Sequence, residues 1–375
     1  MAAPSDTIQT IARLTPLADV QAMVDLDVKP VTPRTVELSK AFGRTLAVDA
    51  MARTRPNVAI AMRDGWALDA DTTLGAGGYT PALLLETPQR IEVGQPMPPG
   101  TDSVAPFDAI KVSKGRVEAL LTIDPGDGVL AAGGDCDVAI PMRRAGEPLS
   151  LTDVAACEAA GIARVTVREP RVRVLPLRGS GIVNAAARLL AADIERRGGA
   201  ARLDDAGRDL GAVLAAESAD FIIVIGGTGT GRNDNSVQVL ARETRLAVHG
   251  VAMTPGETAA IGFAGPRPVL VLPGRLDAAL SVWLTIGRRI LDRLAAAHRH
   301  GDRDPVETLM LSRKVASTVG LAEIVPVRRA GEQAEPLAMK YLPLSSLARS
   351  DGWILVPADS EGYSEGTPVA VKPWP

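Results

Sequence analysis

Phe221-Ile-Ile-Val-Ile-Gly-Gly-Thr-Gly-Thr-Gly-Arg-Asn-Asp-Asn-Ser-Val237 joins five consecutive apolar residues to a glycine-rich loop. An apolar run without polar alternation predicts a strand covered on both faces, as in a parallel sheet. The segment after the loop reads as a helix. Parallel α/β sheets present ligands in this setting, because their sites lie beyond the carboxyl ends of the strands. Glycines at 226, 227, 229 and 231 let the backbone approach an anion and turn successive N–H groups on it. A helix N-terminus adds its positive dipole end. The loop lacks the Walker A lysine and does not match GxGxxG. The hydroxyls of Thr228 and Thr230 can donate to phosphate, and Asp234 can position a metal or a water. The alternative is a plain glycine turn with Asp234 capping the next helix.

The sequence on either side extends the pattern. VRVLPL, from Val172, reads as a strand. Ile182 to Arg197 reads as a helix, with Ile182, Ala186, Leu189, Leu190 and Ile194 on one face. Arg208 to Ala216 and Leu276 to Ala297 are further helices, and VLVLP at 269–273 is another buried-type strand. Alternation over about 130 residues predicts a doubly wound parallel sheet. VLPGRLDAAL, from Val271, brings Pro273, Gly274 and Arg275 to the same edge as the glycine loop. Its Asp277 falls in a first helical turn, where the dipole favours a carboxylate. MTPGETAAIG, from Met253, carries a Pro255-Gly256 turn signal. Three glycine-bearing loops at one edge point to a ligand site more strongly than any one of them.

The flanks differ. Val36 to Ala41, followed by Gly43, reads as a short helix with a glycine stop. Residues 53–135 hold short apolar runs (Ala82–Leu85, Ser103–Ala105, Ala109–Val112, Glu118–Ile123) broken by Gly and Pro, the spacing of a small all-β module. Within it, AIAMRDGWAL places Asp64-Gly65 at a turn, where the carboxylate can bind a metal or position a nucleophile. SLTDVAACEAAGIA restores a helix, capped by Ser150 or Thr152 and ended by Gly161. Residues 298–305 read as a polar linker. Short strands return at Leu321–Val327, Leu337–Tyr341, Trp353–Val356 and Val369–Val371. The domain organisation is therefore 1–52 with 136–170 as an extended and helical linker domain, 53–135 as the β module, 171–300 as the α/β domain, and 306–375 as a C-terminal β domain.

Composition narrows the function classes. The 375 residues are 46% hydrophobic but only 3% aromatic, so the cores are aliphatic. A net charge of −3 and few stacking aromatics predict no nucleic-acid partner. Two cysteines, Cys136 and Cys157, make neither a disulfide framework nor a zinc site, and fit a reduced cytoplasm. The N-terminal segment has no basic stretch before an apolar one, so no signal peptide is expected. No apolar run reaches membrane-spanning length.

Taken together and in order, these segments resemble the MoeA family, the molybdopterin molybdenumtransferases that include the gephyrin E-domain. AMRDGWAL is similar to the family's SAMDGYAV, and VGQPMPPGTDSV, from Val93, to TGxPxPxGADAV. GGTGTGRNDNSV resembles GGVSVGxxDY, VAMTPGETAAIG resembles VAMKPGKPxxxG, and LPGRLDAAL resembles LPGNPVSAL. The resemblance covers roughly residues 15–372. It implies a MogA-like doubly wound α/β domain, an inserted small β module and a C-terminal β-barrel-like domain, in a homodimer. It implies an enzyme that takes adenylylated molybdopterin and molybdate, releases AMP and inserts molybdenum, with Mg2+ taking part.

Carried over residue by residue, the resemblance makes Asp64 and Asp234 the catalytic and metal-handling carboxylates. It assigns Gly226 to Gly231, Arg178, Ser180, Pro255, Gly256, Pro273, Gly274 and Arg275 to ligand binding. The sequence also departs from the family. Arg63 stands where the family has Met, and Val93 where it has a threonine. Gly181 replaces the glutamate of TGDEL. Gly250, Thr254 and Glu257 stand at lysine positions, and Arg275 and Leu276 replace Asn-Pro. Each lost lysine-phosphate contact forfeits a charge-assisted hydrogen bond of about 1.5–3 kcal/mol. Arg178 and Arg275 are the candidate replacements, since arginine suits oxyanions. The alternatives to an insertase are a degenerate molybdopterin- or nucleotide-binding protein and a structural scaffold dimer.

Overall fold

The computed structural model describes residues 9–113, 115–216, 218–231, 234–298 and 305–375. Most of the 298–305 stretch read as a linker lies outside them. The chain divides into two compact units. One comprises Met1–Val48, Ala145–Ser150 and Thr166–Pro375, the other Asp49–Arg144 and Leu151–Val165.

The first unit is built on a six-stranded sheet. Its order is Ala200–Leu203, Arg171–Pro176, Phe221–Ile225, Arg267–Leu272, Ala260–Ala264, Arg245–His249. The first four strands are parallel and the last two pairings antiparallel. The unbroken apolar run at 221–225 has a direct cause. Phe221, Ile223 and Ile225 enter the core on one face, with Leu190, Ile194 and Trp283. Ile222 and Val224 enter the core on the other, with Leu210, Val213 and Leu240. Each fully buried Leu, Ile or Phe contributes roughly 1.5–3 kcal/mol relative to exposure.

Helix Gly181–Arg196 starts at Ser180, whose Oγ accepts from the Val183 N–H at 3.3 Å. It buries Val183, Ala186, Ala187, Leu190 and Ile194 at helical spacing. The long helix expected from Leu276 is not uniform. Leu276–Val282 is α-helical, Trp283–Gly287 is a π-helical turn, and Arg288–Leu294 is α-helical again. The Trp283 ring packs over Gly287, where a Cβ would stand 2.2 Å from it.

The strand Val251–Thr254 lies outside the central sheet and pairs in parallel with Ala322–Ala330. That strand belongs to a closed ring of five: Ala322–Ala330, Gln333–Pro336, Glu307–Leu311, Pro368–Pro373 and Gly352–Val356. Val325, Val327, Ile354, Val369 and Leu309 fill it. Two short elements differ from their sequence reading. Residues 34–37 are a strand and Leu38–Lys40 a 3-10 turn, since β-branched Thr35 and Val36 favour extended backbone and the Thr35 hydroxyl meets that of Thr166 at 3.2 Å. Residues 337–341 form no strand; Lys340 has φ 64°, which strand pairing does not accommodate.

The second unit holds two antiparallel three-stranded sheets. One orders Gln89–Ile91, Gly65–Leu68 and Ser103–Ala105, the other Ala82–Leu84, Arg116–Ala119 and Ile110–Ser113. Helix Leu151–Ala159 buries Cys157, and burial pushes that thiol up. Cys136 and Cys157 are both free thiols. Among the described residues no helix is long and apolar enough to cross a membrane.

Candidate functional site

A cavity of about 450 Å³ opens beyond the carboxyl ends of the strands Arg171–Pro176, Phe221–Ile225 and Arg267–Leu272. Three strand-to-helix connections and the element ends beside them line it. The first contributes Arg178, Ser180 and Val183, the second Ile225, Gly226, Gly227, Thr228, Gly229 and Asp234, the third Pro273, Gly274 and Arg275. A thirteenth lining residue, Thr258, comes from the turn before the strand Ala260–Ala264. That strand runs antiparallel to its neighbour, with Ala260 opposite Val271, so its entry rather than its exit lies at this edge.

Backbone conformation explains the glycines. Gly226 has φ 103° and Gly227 φ 74°, both in the region that disfavours L side chains. The Gly226 N–H donates to the Leu272 carbonyl at 2.8 Å, which stitches the loop to the neighbouring strand end. Thr228 is buried, and its hydroxyl meets that of Thr258 at 2.8 Å. Thr230 and Gly231 continue the loop outside the cavity lining.

Asp234 does not cap the helix Ser236–Glu243. The N-cap position is Asn235, without a side-chain cap bond. The Asp234 carboxylate instead folds over the loop, where a Cβ at Gly229 would stand 2.7 Å from its Oδ2. Its Oδ1 accepts from Arg178 Nη2 at 3.2 Å. Arg275 is set by two groups. Its Nε and Nη2 donate to the two oxygens of buried Asp277, at 3.1 and 2.5 Å, and its guanidinium lies 4.7 Å over the Tyr341 ring. Asp277 also accepts from the Leu342 N–H at 3.2 Å. The hydrogen bond to Asp277 holds the Arg275 guanidinium above its ordinary pKa, so it stays charged. The cavity therefore pairs two guanidiniums with one carboxylate against a glycine backbone, a setting suited to an oxyanion.

Pro255 and Gly256 do not line this cavity. Both are buried, and a Cβ at Gly256 would meet Val282 Cγ2 at 2.7 Å. Asp64 lies in the other unit, at the entry to the strand Gly65–Leu68. Its Oδ1 accepts from the Val93 N–H at 2.8 Å, a bond that needs no hydroxyl at 93. Arg63 staples its own module, donating to the Val104 carbonyl at 2.8 Å and pairing with Asp127 at 2.6 Å. Gly181 opens its helix with free space, nothing lying within 4 Å of where a Cβ would stand.

Among the described residues no three His, Cys, Asp or Glu side chains converge as a metal cage. A Mg2+ ion usually keeps waters and uses one or two carboxylates with ligand phosphates. Asp234 is the carboxylate lining this cavity that has that chemistry. A second cavity, of about 290 Å³, lies at the ends of the strands Arg171–Pro176 and Ala200–Leu203, beside Asn184, Arg188 and Asp205. Sequence reading missed Thr258, whose place depends on an antiparallel edge. It also missed Val183 and Ile225, whose signal was only that of core residues.

Gly181→Glu is expected to stabilise the unit. Glycine costs about 1 kcal/mol relative to better helix formers, and a carboxylate in the first turn adds about 0.3–1 kcal/mol. Thermal denaturation should show a midpoint raised by about 2–4 °C. A lowered midpoint would mean that the helix start has no room for the side chain.

Three family models match the chain. The MoeA N-terminal region (domains I and II) matches residues 12–161, a molybdopterin-binding domain matches 174–293, and the MoeA C-terminal region (domain IV) matches 308–374. Molybdopterin molybdenumtransferase 2 of Mycobacterium tuberculosis is 26% identical over 392 aligned positions, covering 90% of this chain and 94% of that protein. A molybdopterin molybdenumtransferase of Nostoc is 28% identical over 241 positions, covering 58% of this chain and 55% of that protein. The crystal structure of a molybdopterin biosynthesis MoeA protein from Pyrococcus horikoshii superposes with a TM-score of 0.75 at 25% identity, over 96% of this chain and 99% of that one.

Proposed function

The chain belongs to the MoeA family, and from that premise we propose that it acts in molybdenum cofactor biosynthesis, inserting molybdenum from molybdate into adenylylated molybdopterin with release of AMP. The observation that carries the proposal is the cavity in which the glycine loop, Arg178, Arg275 and Asp234 meet. The loop N–H groups and the two guanidiniums take the phosphate part of the ligand. Thr228 and Thr258, already hydrogen-bonded to each other, can turn a hydroxyl to the same anion. Release of AMP is hydrolysis of the link between the two phosphates: a water oxygen attacks the adenylyl phosphorus, the bond from that phosphorus to the pterin phosphate oxygen breaks, and Asp234 orients the water or accepts its proton. Magnesium, when bound, would offset phosphate charge, and Asp234 is the carboxylate we assign to it; for Asp64, in the other unit, a metal-handling role is what the sequence resemblance implies. A homodimer belongs to the same proposal, with a solution mass twice that of the chain.

The test is direct. Purified protein with adenylylated molybdopterin, molybdate and magnesium should release AMP and yield molybdenum-loaded cofactor. Absence of AMP release from well-folded protein would sink the insertase. A second reading, a binding protein without turnover, has its own support. Gly250 packs under Ile11, where a Cβ would stand 2.4 Å from it, and Thr254 is buried. Lysines could not reach an anion from those two positions without rearrangement. AMP binding without AMP release would favour this second reading.

A further inference from the structure

The glycine loop is fastened by a side chain more than two hundred residues away. Gln9 is 7% exposed, and its Nε2 donates to the carbonyls of Gly227 and Gly229, each at 2.7 Å. A side-chain amide nitrogen carries two N–H donors, so both are committed to this one loop. The other end of the amide is left without a partner: Oε1 is buried and unpaired among the described residues. Burying an unpaired acceptor is unfavourable, which an apolar residue at position 9 would avoid. Gln9 is thus held there for its donors.

The segment that carries it is tied down. The Thr15 N–H donates to the Gly250 carbonyl at 3.0 Å, and Thr15–Pro16 pairs in parallel with Val251 and Ala252. Ile11 and Leu14 lie over Gly250. Gln9 itself precedes residue 12, where the match to the MoeA N-terminal region begins.

A trans peptide is planar, and its C=O and the following N–H point in opposite directions. Drawing the carbonyls of Gly227 and Gly229 to Gln9 therefore turns the N–H groups of Thr228 and Thr230 the other way. Gln9 does not line the cavity. We propose that Gln9 is a positioning residue for the anion site. It holds the Gly229 carbonyl, and together with the Ser236 hydroxyl the Gly227 carbonyl, away from the ligand, and so presents the opposed N–H of the cavity-lining Thr228, so that binding need not first reorder the glycines. This rests on the loop's proposed role as an anion cradle.

The experiment uses the full chain, with AMP as the probe. Gln9→Leu removes both donors. Gln9→Glu keeps the shape but faces carbonyl oxygens with an acceptor, and regains one donor when protonated. Calorimetry should show AMP affinity falling about tenfold in both variants at neutral pH, a loss on the order of 1.4 kcal/mol, with the unfolding midpoint shifted by less than about 2 °C. At about pH 5, within reach of an ordinary Glu pKa, Gln9→Glu should recover part of the loss relative to native protein at the same pH, and Gln9→Leu none. Hydrogen exchange across residues 226–231 should be roughly tenfold faster in both variants. Unchanged loop exchange, or unchanged affinity in variants of a protein that binds AMP, overturns the proposal. So does an affinity loss that follows the unfolding midpoint without recovery in Gln9→Glu. If native protein binds no AMP, the functional proposal fails by itself, and loop exchange alone then decides the role of Gln9.

Discussion

Asp234→Asn should slow AMP release by a factor on the order of 10²–10⁴, the usual cost of removing a group that moves a proton in the transition state. The substitution is nearly isosteric, so the loop should keep its shape. The Asn side chain still offers an oxygen to Arg178, now as a neutral acceptor instead of the charged one at 3.2 Å. AMP affinity should hold or rise, because one negative charge leaves a cavity that would receive an anion. The expected signature is a fall in kcat with unchanged or tighter product binding. A parallel loss of both would mean that Asp234 holds the loop together and takes no part in turnover. Asp64→Asn, assayed beside it, tests the carboxylate of the other unit independently.

Asp193→Ala should destabilise the first unit by about 3–5 kcal/mol, the cost of removing one partner from a buried ion pair. Asp193 is 2% exposed. Its Oδ2 accepts from Trp283 Nε1 at 2.7 Å and Arg288 Nε at 2.8 Å, and its Oδ1 from Arg196 Nη2 at 2.7 Å. Arg197 stands 3.5 Å away. Arg197 and Arg288 are each 6% exposed, so the alanine variant withdraws their shared counter-charge in a place water scarcely reaches. Denaturant melts of the two proteins measure the difference; a loss under about 1 kcal/mol, the size of an exposed pair, would show that the arginines find equivalent partners.

The same carboxylate sets part of the acid limit. Burial alone would raise its pKa, but Arg288, then Arg197 and the Trp283 N–H, outweigh that and hold it below the ordinary Asp range. A depressed folded-state pKa contributes stability above the unfolded value of about 3.9, and that contribution is lost as pH falls below it. Native protein should therefore lose stability below about pH 4, and Asp193→Asn should flatten that limb.

Much of the fold was legible because burial leaves a periodic mark. Five apolar residues from Phe221 report a strand buried on both faces. The 3.6-residue spacing of Ala186, Leu190 and Ile194 reports one buried helix face. The helix from Leu276 was legible in extent but not in its π-helical turn, which depends on Trp283 packing over Gly287 and bonding to Asp193. The strand expected at 337–341 failed because an apolar cluster there serves a turn, with Leu342 buried beside Asp277.

The sequence by itself determined the strand-loop-helix order, the glycine-bearing loops after Ile225 and Leu272 and the carboxylate at 234, because these depend on residues within a few positions of one another. Only the tertiary structure decided which groups the cavity collects. Thr258 enters because its strand runs antiparallel, while Pro255 and Gly256, three and two residues earlier, are buried against the core. Asp234 faces Arg178 where a helix cap was the alternative, and Arg275 rests on Tyr341 of the C-terminal ring's connecting segment. Gln9 reaches a loop 218 residues away. Such pairs are set by how strands are ordered and where chain segments cross. A local pattern encodes which face of an element is buried, but not what distant side chain will cover it.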